Sequence, residues 1–266
     1  MKIKGRGNNS WSFPKKPYKI KLNKAAEIFG LPAYKEWILL AEYLDGSMLS
    51  DAIPYSMGHL LGMPFTNHII PVELIINGQN KGIYVFTEHK EVGENRIDVG
   101  DDGLLLEFDT YLGEDWIFRT RHYKLPCVIH YPEIDSIKQL YDIQLCLEEF
   151  ETLLKDSKFP NNDYDKYFDL NSFVDYMIVY TFTYNKEIYY PKSTYMHRVG
   201  KGKYKMGIIW DFDWGFGYTE NGKHFDMNAV NKPLLDENST LNGKVFFKIY
   251  ARSESSATIQ STLAVV

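Results

Sequence analysis

The hydrophobic residues of the first 110 positions are spaced as in β-strands. Tyr18, Ile20 and Leu22 alternate with Lys19 and Lys21, and this period of two is typical of a half-buried strand with lysines on one face. Residues Asn-Gly-Gln-Asn at 77–80 separate two β-rich runs, as in a hairpin. The apolar or β-rich runs of this part lie at 18–22, 37–41, 72–76, 82–86 and 104–107.

One helix is predicted within this β-rich part. The turn residues at 45–47 end in Ser47, a residue type that caps helices, and residues 48–61 follow. Pro54 lies inside that span, where proline either kinks a helix or marks its first turn. The pattern therefore predicts the helix and leaves its first residue open.

The spacing changes to three and four residues after a transitional stretch around Pro126 and Pro132. Apolar residues recur at this spacing over 137–154, which predicts a helix of about five turns, capped by Asp135 or Ser136.

A second helix is predicted over residues 170–184, behind Asp169. It is apolar around most of its girth, which is typical of a helix inside a domain. A β-hairpin follows, with its turn at 200–202 and its return strand at 205–209.

These elements predict an α+β fold in one domain over residues 1–250, with a β-rich part at about 1–110 and a helical part at about 111–250 that contains the hairpin. Of the 266 residues 44% are hydrophobic, enough for a large core, and 24% charged residues do not indicate disorder. Residues 251–266 show neither helical nor strand spacing, so we expect an irregular tail, frayed or foreign to the fold.

Charge and hydropathy argue against two classes of function. A net charge of -5 gives no whole-molecule attraction to nucleic acid or anionic lipid. No run approaches the roughly 18 apolar residues of a membrane span, and no signal peptide follows Met1. Residues 2–5 resemble the middle of a strand, so we expect missing upstream segments. Two cysteines, Cys127 and Cys146, are too few for a disulfide framework, and their spacing does not match a zinc site. They do not indicate whether the protein lies in an oxidising or a reducing compartment.

Residues 210–217, Trp-Asp-Phe-Asp-Trp-Gly-Phe-Gly, place two carboxylates one residue apart among aromatic residues. In extended backbone Asp211 and Asp213 point to the same side. Two like charges on one side favour a cation between them, and hard oxygens suit Mg²⁺, Mn²⁺ or Ca²⁺. The alternative is a turn, in which Gly215 and Gly217 supply positive φ and the aromatic residues fill the core.

A glycine-rich loop opens the chain. Residues 4–11 combine two glycines with cationic and small polar residues, and such a loop can bring backbone N–H groups close to a phosphate. The lysine-serine pair and the GxGxxG spacing of common phosphate loops are absent, so a simple turn is the alternative. Lys19 and Lys21 on the next strand form either a solvated face or a further phosphate contact.

Several short motifs follow one another in order along the chain. They are Gly-Arg-Gly-Asn at 5–8, Lys-Pro-Tyr-Lys-Ile-Lys-Leu at 16–22, Asn-Gly at 77–78, Gly-Ile-Tyr at 82–84, Thr-Glu at 87–88, Trp-Asp-Phe-Asp at 210–213 and Phe-Gly at 216–217. This combination resembles the spore coat protein H (CotH) family over residues 2 to about 248. The resemblance implies a two-lobed, atypical protein-kinase-like fold and transfer of phosphate from ATP to partner proteins.

The resemblance also implies roles for single residues. Asp211 and Asp213 match the family's metal-binding pair, and Asp211 is also counted as catalytic. Asn185 matches an Asn of the family and is counted here as a metal ligand. Glu187 matches the acid of the family's catalytic loop, which is usually Asp. The extra methylene of Glu187 displaces this acid, and a misplacement of about 1 Å can cost roughly 10²-fold in rate. Where the family often supplies a further polar metal ligand shortly downstream, this chain offers Ser193 or Thr194.

The implied cofactors are ATP with Mg²⁺ or Mn²⁺, and Ca²⁺ is an alternative. Lys21 or Lys19 is implied as a phosphate contact, and Arg6 and Asn8 belong to the loop that would supply further donors. Glu88 ends a strand in the resembling region, as Glu107 does, and either lines the cleft or forms an ordinary salt bridge.

We therefore expect a kinase that phosphorylates Ser or Thr of a Ser/Thr-rich partner protein. The alternative is a catalytically inactive structural or assembly protein that binds metal or nucleotide, which Glu187 favours. A third hypothesis, a carbohydrate-binding module, is supported only by the abundance of aromatic residues, with 20 tyrosines and 5 tryptophans. The resemblance implies a bacterial spore coat, or a secreted or cell-envelope setting, and leaves the oligomeric state open.

Overall fold

The computed structural model describes residues 1–110, 116–189, 191–219, 233–236, 244–252 and 261. Within these ranges the chain forms helices and antiparallel sheets, so the predicted α+β class is confirmed. The strands are β1 (Lys2–Gly5), β2 (Tyr18–Ile28), β3 (Leu31–Leu40), β4 (Ile70–Ile76), β5 (Gln79–Glu88), β6 (Leu104–Phe108), β7 (Ile117–Arg119), β8 (Pro126–Tyr131), β9 (Thr194–Arg198) and β10 (Lys205–Met206). The helices are α1 (Ala52–Leu60), α2 (Ile137–Lys155), α3 (Leu170–Phe182) and α4 (Lys244–Arg252).

Five strands form the first sheet in the order β1-β2-β3-β5-β4, and every neighbouring pair is antiparallel. β2 shows the predicted alternation, because Tyr18, Ile20 and Leu22 pack against a core cluster that includes Trp37 and Phe86. The lysines between them therefore lie on the other face of the sheet.

β4 and β5 form the predicted hairpin, with Ile76 paired to Gln79 across the turn. The two turn residues, Asn77 and Gly78, both have positive φ, at 51° and 76°. Tight hairpin turns require this conformation, and Asn-Gly pairs adopt it readily. Local sequence is thus sufficient to specify this part of the sheet.

α1 begins at Ala52 and not at residue 48. Pro54 lies in its first turn, where the missing N–H costs no hydrogen bond within the helix. The prediction that Ser47 caps the helix is wrong, because Asp51 occupies the N-cap position and the Ser47 hydroxyl donates within the preceding turn.

Asp45 organises that turn before α1. Its carboxylate accepts three backbone N–H groups at 2.8 Å and the Ser47 hydroxyl at 2.6 Å. Burial would raise the pKa of Asp45, but these hydrogen bonds outweigh it and lower the pKa to about 2. The turn is therefore fixed at neutral pH, and its two ends place Glu42 and Asp51 in the structure.

The second sheet has the order β10-β9-β6-β8-β7, also antiparallel. β6 lies at its centre and is buried along its whole length. The sequence analysis missed β7 and β8, which occupy the stretch around Pro126 and Pro132. Pro126 is the first residue of β8, a position at which strands tolerate proline.

β10 is shorter than the return strand predicted over 205–209. It pairs with β9 only at Lys205 and Met206. Gly207 has a φ of 109°, a conformation that interrupts regular strand pairing. Beyond it the chain continues, buried, to the predicted carboxylate pair.

α2 and α3 form where the three- and four-residue spacing predicts them. Ser136 caps α2 by accepting from the Gln139 N–H at 3.3 Å, which decides between the two candidate caps. Asp169 caps α3 through the Ser172 N–H at 3.0 Å. Much of α3 is buried, as its apolar girth predicts.

The predicted tail at 251–266 lies outside the described residues, apart from the end of α4 and residue 261. No helix in the described ranges is both long and apolar enough to cross a bilayer. Cys127 and Cys146 are free thiols.

Glu36 of β3 lies against two lysines of β2. Its carboxylate contacts the ammonium groups of Lys19 and Lys21, the latter at 2.6 Å. Burial would raise the pKa of Glu36, but the hydrogen bonds from both lysines outweigh burial and lower the pKa to about 2. The ionised carboxylate therefore holds β2 and β3 together at neutral pH.

Replacing Glu36 by Gln should make stability less dependent on pH in acid. Because the ordinary pKa of 4.5 falls to about 2 on folding, ionised Glu36 stabilises the fold above pH 4.5, and this contribution is lost as the pH falls toward 2. In denaturant titrations we expect Glu36→Gln to unfold earlier than wild type at pH 6, with a smaller difference at pH 3. An unchanged difference, or the same trend in the exposed control Glu94→Gln, would contradict this account.

Candidate active site

A cavity of about 360 Å³ lies where the glycine loop, the turn before α1, the end of β6 and the segment after β10 meet. Its size is that of a small-molecule site. Seven residues singled out from the sequence line it: Arg6, Asn8, Glu107, Glu187, Ser193, Asp211 and Asp213. The structure thus brings together residues from both ends of the chain.

Asp211 and Asp213 both reach this cavity because Phe212 between them is fixed in the core. Phe212 is fully buried, and its ring centroid lies 6.0 Å from that of Tyr55 and 5.3 Å from that of Tyr180. The φ of Asp211 is 64°, so the backbone turns here and is not the extended strand expected from the sequence. Such a conformation is uncommon for aspartate and persists where the surroundings hold it.

Asn185 joins the loop after α3 to the aspartate segment. Its side-chain N–H₂ group donates to the carbonyl oxygen of Asp211 at 3.0 Å, and its side-chain oxygen accepts from the Glu187 N–H at 3.1 Å. The residue is fully buried and does not line the cavity. Asn185 therefore connects Asp211 to Glu187 from behind the cavity, and its implied role as a metal ligand stays a prediction.

Glu187 lies in a short 3₁₀ turn, Lys186–Tyr189, and lines the cavity. It is 1% exposed, and its Oε2 atom has no hydrogen-bond partner among the described residues. Burial raises the pKa of Glu187, and repulsion from Asp211 raises it further. Such a carboxyl group readily takes up a proton or accepts a cation.

Ser193 precedes β9 and is held by two aspartates. Its hydroxyl donates to Asp211 Oδ2 at 3.3 Å, and its backbone N–H donates to Asp109 Oδ2 at 3.3 Å. A neutral oxygen beside Asp211 is a suitable additional ligand for a hard cation.

The glycine loop closes one side of the cavity. A Cβ atom at Gly5 would lie 2.2 Å from the Trp11 ring and would displace it, and Gly7 has a φ of 84°, at which a larger residue would be strained. Arg6 lies between them, with its guanidinium carbon 5.7 Å from the centre of the Trp210 ring. The loop therefore presents one cation to the cavity.

Lys19, Lys21 and Glu88, which the sequence analysis assigned to nucleotide binding, do not line the cavity. The two lysines contact Glu36 on the neighbouring strand. Glu88 accepts hydrogen bonds from His68, at 2.8 Å from its N–H and 2.6 Å from Nδ1. Glu36 and His68 are thus the partners of these three side chains.

Other charged residues of the cavity were not assigned to it from the sequence. They are Lys15, Glu42, Asp51, Lys90, Asp109 and Lys192. Asp109 lies two residues after Glu107, the same spacing as Asp211 and Asp213, so a search for this spacing at strand ends would have found it. The remaining five lie in turns and loops, where sequence spacing gives no such signal.

Acidic side chains outnumber basic ones around the cavity. Burial and repulsion from Asp213 raise the pKa of Glu42 to about 7. Burial and repulsion from Asp211 likewise raise the pKa of Asp213. The basic side chains of the lining are Arg6, Lys15, Lys90 and Lys192, and the acidic ones are Glu42, Asp51, Glu107, Asp109, Glu187, Asp211 and Asp213.

The chain matches the model of the family described as CotH kinase protein over residues 3–254. It belongs to the CotH kinase protein family. The resemblance drawn from the ordered motifs is thereby confirmed. A comparison with curated proteins gives no match.

In this CotH protein the residues around Asp211 fit a divalent cation. Carboxylate oxygens of Asp211 and Asp213 and the hydroxyl of Ser193 are hard ligands of the kind that Mg²⁺ and Mn²⁺ take. The excess of buried carboxyl groups and the unpartnered Oε2 of Glu187 both indicate that positive charge is needed here.

Replacing Asn185 by Asp should destabilise the CotH fold. The new side chain keeps the acceptor for the Glu187 N–H but directs a second oxygen at the carbonyl of Asp211. We expect a loss of about 1–3 kcal/mol, the cost of an unsatisfied buried polar group. Thermal unfolding measures it, and the exposed Asn95→Asp serves as the control. A melting temperature equal to that of the control would contradict the positioning role.

Proposed function

We propose that this CotH protein is an ATP-dependent kinase that transfers the γ-phosphate of ATP to Ser or Thr of a partner protein, on a two-lobed kinase-like fold. The observation that carries this proposal is that Asp211, Asp213 and Glu187 share one cavity with four basic side chains and the glycine loop. Phosphoryl transfer depends mainly on positioning and on charge stabilisation, and these groups supply both.

Arg6, Lys90 and Lys192 are the cations that we assign to the nucleotide phosphates. Lys90 Nζ lies 3.5 Å from Glu107 and 5.4 Å from the centre of the Trp210 ring, so it is held at the cavity wall. Burial lowers the pKa of Arg6 and Asp211 counteracts this, but a guanidinium stays charged in either case. These three side chains replace the lysines of β2 in this role.

Glu187 is the residue that we assign to the acceptor hydroxyl. A bond forms between the hydroxyl oxygen and the γ-phosphorus, the bond from that phosphorus to the ADP oxygen breaks, and the hydroxyl proton passes to the Glu187 carboxylate. A raised pKa makes the ionised Glu187 carboxylate a stronger proton acceptor. The hydrogen bond from the Glu187 N–H to the side-chain oxygen of Asn185 fixes the backbone from which this longer side chain extends.

Asp211, Asp213 and Ser193 are the residues that would hold a divalent cation, Mg²⁺ or Mn²⁺, with Ca²⁺ as an alternative. When bound, the cation neutralises charge on the nucleotide phosphates. The contribution of the chain is to hold two carboxylates at fixed positions, which it does through the buried ring of Phe212.

A second candidate function is binding of nucleotide or cation without turnover, as in an assembly protein of a spore coat or cell envelope. Two observations favour it. Glu187 stands where the CotH family usually has Asp. The side chain of Asn185 is hydrogen-bonded to Asp211 and Glu187 behind the cavity. Displacement of catalytic groups by about 1 Å can lower rates roughly 10²-fold.

Phosphate transfer from labelled ATP to a Ser/Thr-rich acceptor protein, with Mg²⁺ or Mn²⁺, distinguishes the two functions. We expect labelled phosphoserine or phosphothreonine with wild type and none with Asp211→Asn, because this change removes one carboxylate of the pair. Asp142→Asn makes the same chemical change on the exposed side of α2 and should keep full transfer.

The melting temperature completes this test. Absence of transfer, with a melting temperature that still rises with ATP and cation, would support the binding function instead. Absence of both effects would contradict both functions.

A further inference from the structure

Positive charge is concentrated at the start of the chain. Residues 1–35 include nine lysines or arginines and one acidic residue, Glu27, although the whole chain has a net charge of -5. This segment forms β1, the glycine loop, β2 and the first half of β3. A local excess of positive charge in an acidic protein attracts anionic partners to that part of the surface.

β1 and β2 place four of these lysines opposite one another. In the register of the two strands, Lys2 lies opposite Lys21 and Lys4 lies opposite Lys19. We call the side of the sheet that carries these four residues the lysine face. Like charges directly opposite each other destabilise strand pairing, and a bound anion would relieve this repulsion.

The two lysines of β2 already have a carboxylate partner. Glu36 contacts both Lys19 and Lys21. Among the described residues, Glu36, His89 and Glu91 have potential metal-ligand atoms within 4.8 Å of one another. Lys19 supplies positive charge to this group, because its Nζ atom also lies 3.0 Å from His89 Nε2. We therefore place no cation there.

The two lysines of β1 have no such partner. All four residues of β1 are exposed, and none of the ion pairs formed by the described residues includes Lys2 or Lys4. These two ammonium groups are thus available to an anionic partner.

β1 is also an edge strand of the first sheet. Within the described ranges it pairs with β2 alone. An edge strand has unpaired backbone N–H and C=O groups on its outer side, and an extended polypeptide can add to them as a further strand. Neither nucleic acid nor a lipid surface forms such a ladder, so the edge favours a polypeptide partner.

Another cavity, of about 360 Å³, lies beside β1. Its lining includes the side chains of Ile3, Tyr18 and Ile76, together with Lys4 and Lys81. Ile3 is 43% exposed, so its side chain is available for contact. Side chains of an added strand point alternately to the two sides of the sheet. Every second residue of the partner would therefore face the lysine face, and the residues between them would face Ile3.

We propose that β1 binds an extended segment of the phosphorylated partner protein, with phosphoserine or phosphothreonine at alternate positions facing Lys2 and Lys4. Alternate residues of a strand lie about 6.7 Å apart, both in the partner and in β1, so the charges match in spacing. A phosphoserine carries about 1.5 to 2 negative charges at neutral pH, more than Asp or Glu. The inference rests on the proposed function, because the kinase supplies these phosphorylated residues.

The position of β1 gives this binding a specific effect. β1 ends at Gly5, and the next residue, Arg6, lines the cavity in which we place the ATP phosphates. A phosphorylated segment along β1 would keep the rest of the partner close to that cavity. We therefore expect one partner molecule to be phosphorylated repeatedly before it dissociates.

Fluorescence anisotropy with labelled synthetic peptides tests the inference without ATP, metal or turnover. A peptide of Ser-Val repeats is compared in three forms: with every serine phosphorylated, with free serines, and with Glu in place of serine. We expect the whole chain to bind the phosphorylated form most tightly and the form with free serines least tightly. Binding of the Glu form or the free form as tightly as the phosphorylated form would overturn the inference.

A double variant, Lys2→Gln with Lys4→Gln, tests the two lysines. Both side chains are exposed, so the variant should fold, and we expect it to bind the phosphorylated peptide roughly tenfold more weakly. The matched control is Lys138→Gln with Lys201→Gln, which removes two exposed lysines elsewhere and should keep the affinity of wild type. The same affinity in the variant and in the control would overturn the inference.

N-methylation of the phosphorylated peptide tests strand addition. One version carries the methyl groups on its phosphoserine amides and another on its valine amides. Only one of these two sets of amides faces β1 in an added strand, so one version should lose binding and the other should keep it. Equal affinity of the two versions would overturn the inference.

These measurements also separate the inference from the proposed function. Phosphopeptide binding without phosphate transfer would contradict the kinase proposal alone. Phosphate transfer without phosphopeptide binding would overturn the inference alone.

Discussion

Repulsion among buried carboxyl groups is the constraint around which this molecule is built. Seven acidic side chains line one cavity and four basic ones face them, and burial and mutual repulsion raise the pKa of Glu42, Asp51, Glu187 and Asp213. Such a lining favours a bound cation, which is the role that we propose for this cavity.

Three local devices keep the carboxyl groups in place. Phe212 fixes the two aspartates beside it in the aromatic core, Asn185 connects Asp211 to Glu187, and Asp45 closes the turn before α1. Each device uses buried hydrogen bonds or ring contacts, which lose energy sharply when one partner is removed. Stability and site geometry therefore depend on the same few residues.

The sequence was sufficient for several features that local chemistry decides, although it placed the cap of α1 at Ser47 instead of Asp51. The Asn-Gly turn, the caps of α2 and α3 and the carboxylate pair at 211 and 213 could all be recognised from short patterns. It was insufficient wherever distant segments meet. Lys19 and Lys21 looked suitable for phosphate, but Glu36 on the next strand contacts both. The lysines that line the cavity include Lys90 and Lys192, which lie in loops. The positions of these loops depend on how distant segments of the chain pack together.

The central claim is that Asp211 and Asp213 form a cation site within a nucleotide cavity. Anomalous diffraction from crystals grown with Mn²⁺ and an ATP analogue tests it most directly. The account predicts a manganese peak at about 2.0–2.6 Å from carboxylate oxygens of both aspartates, with analogue phosphates next to it. Manganese bound only at Glu36, His89 and Glu91, or a cavity without metal under these conditions, would contradict it.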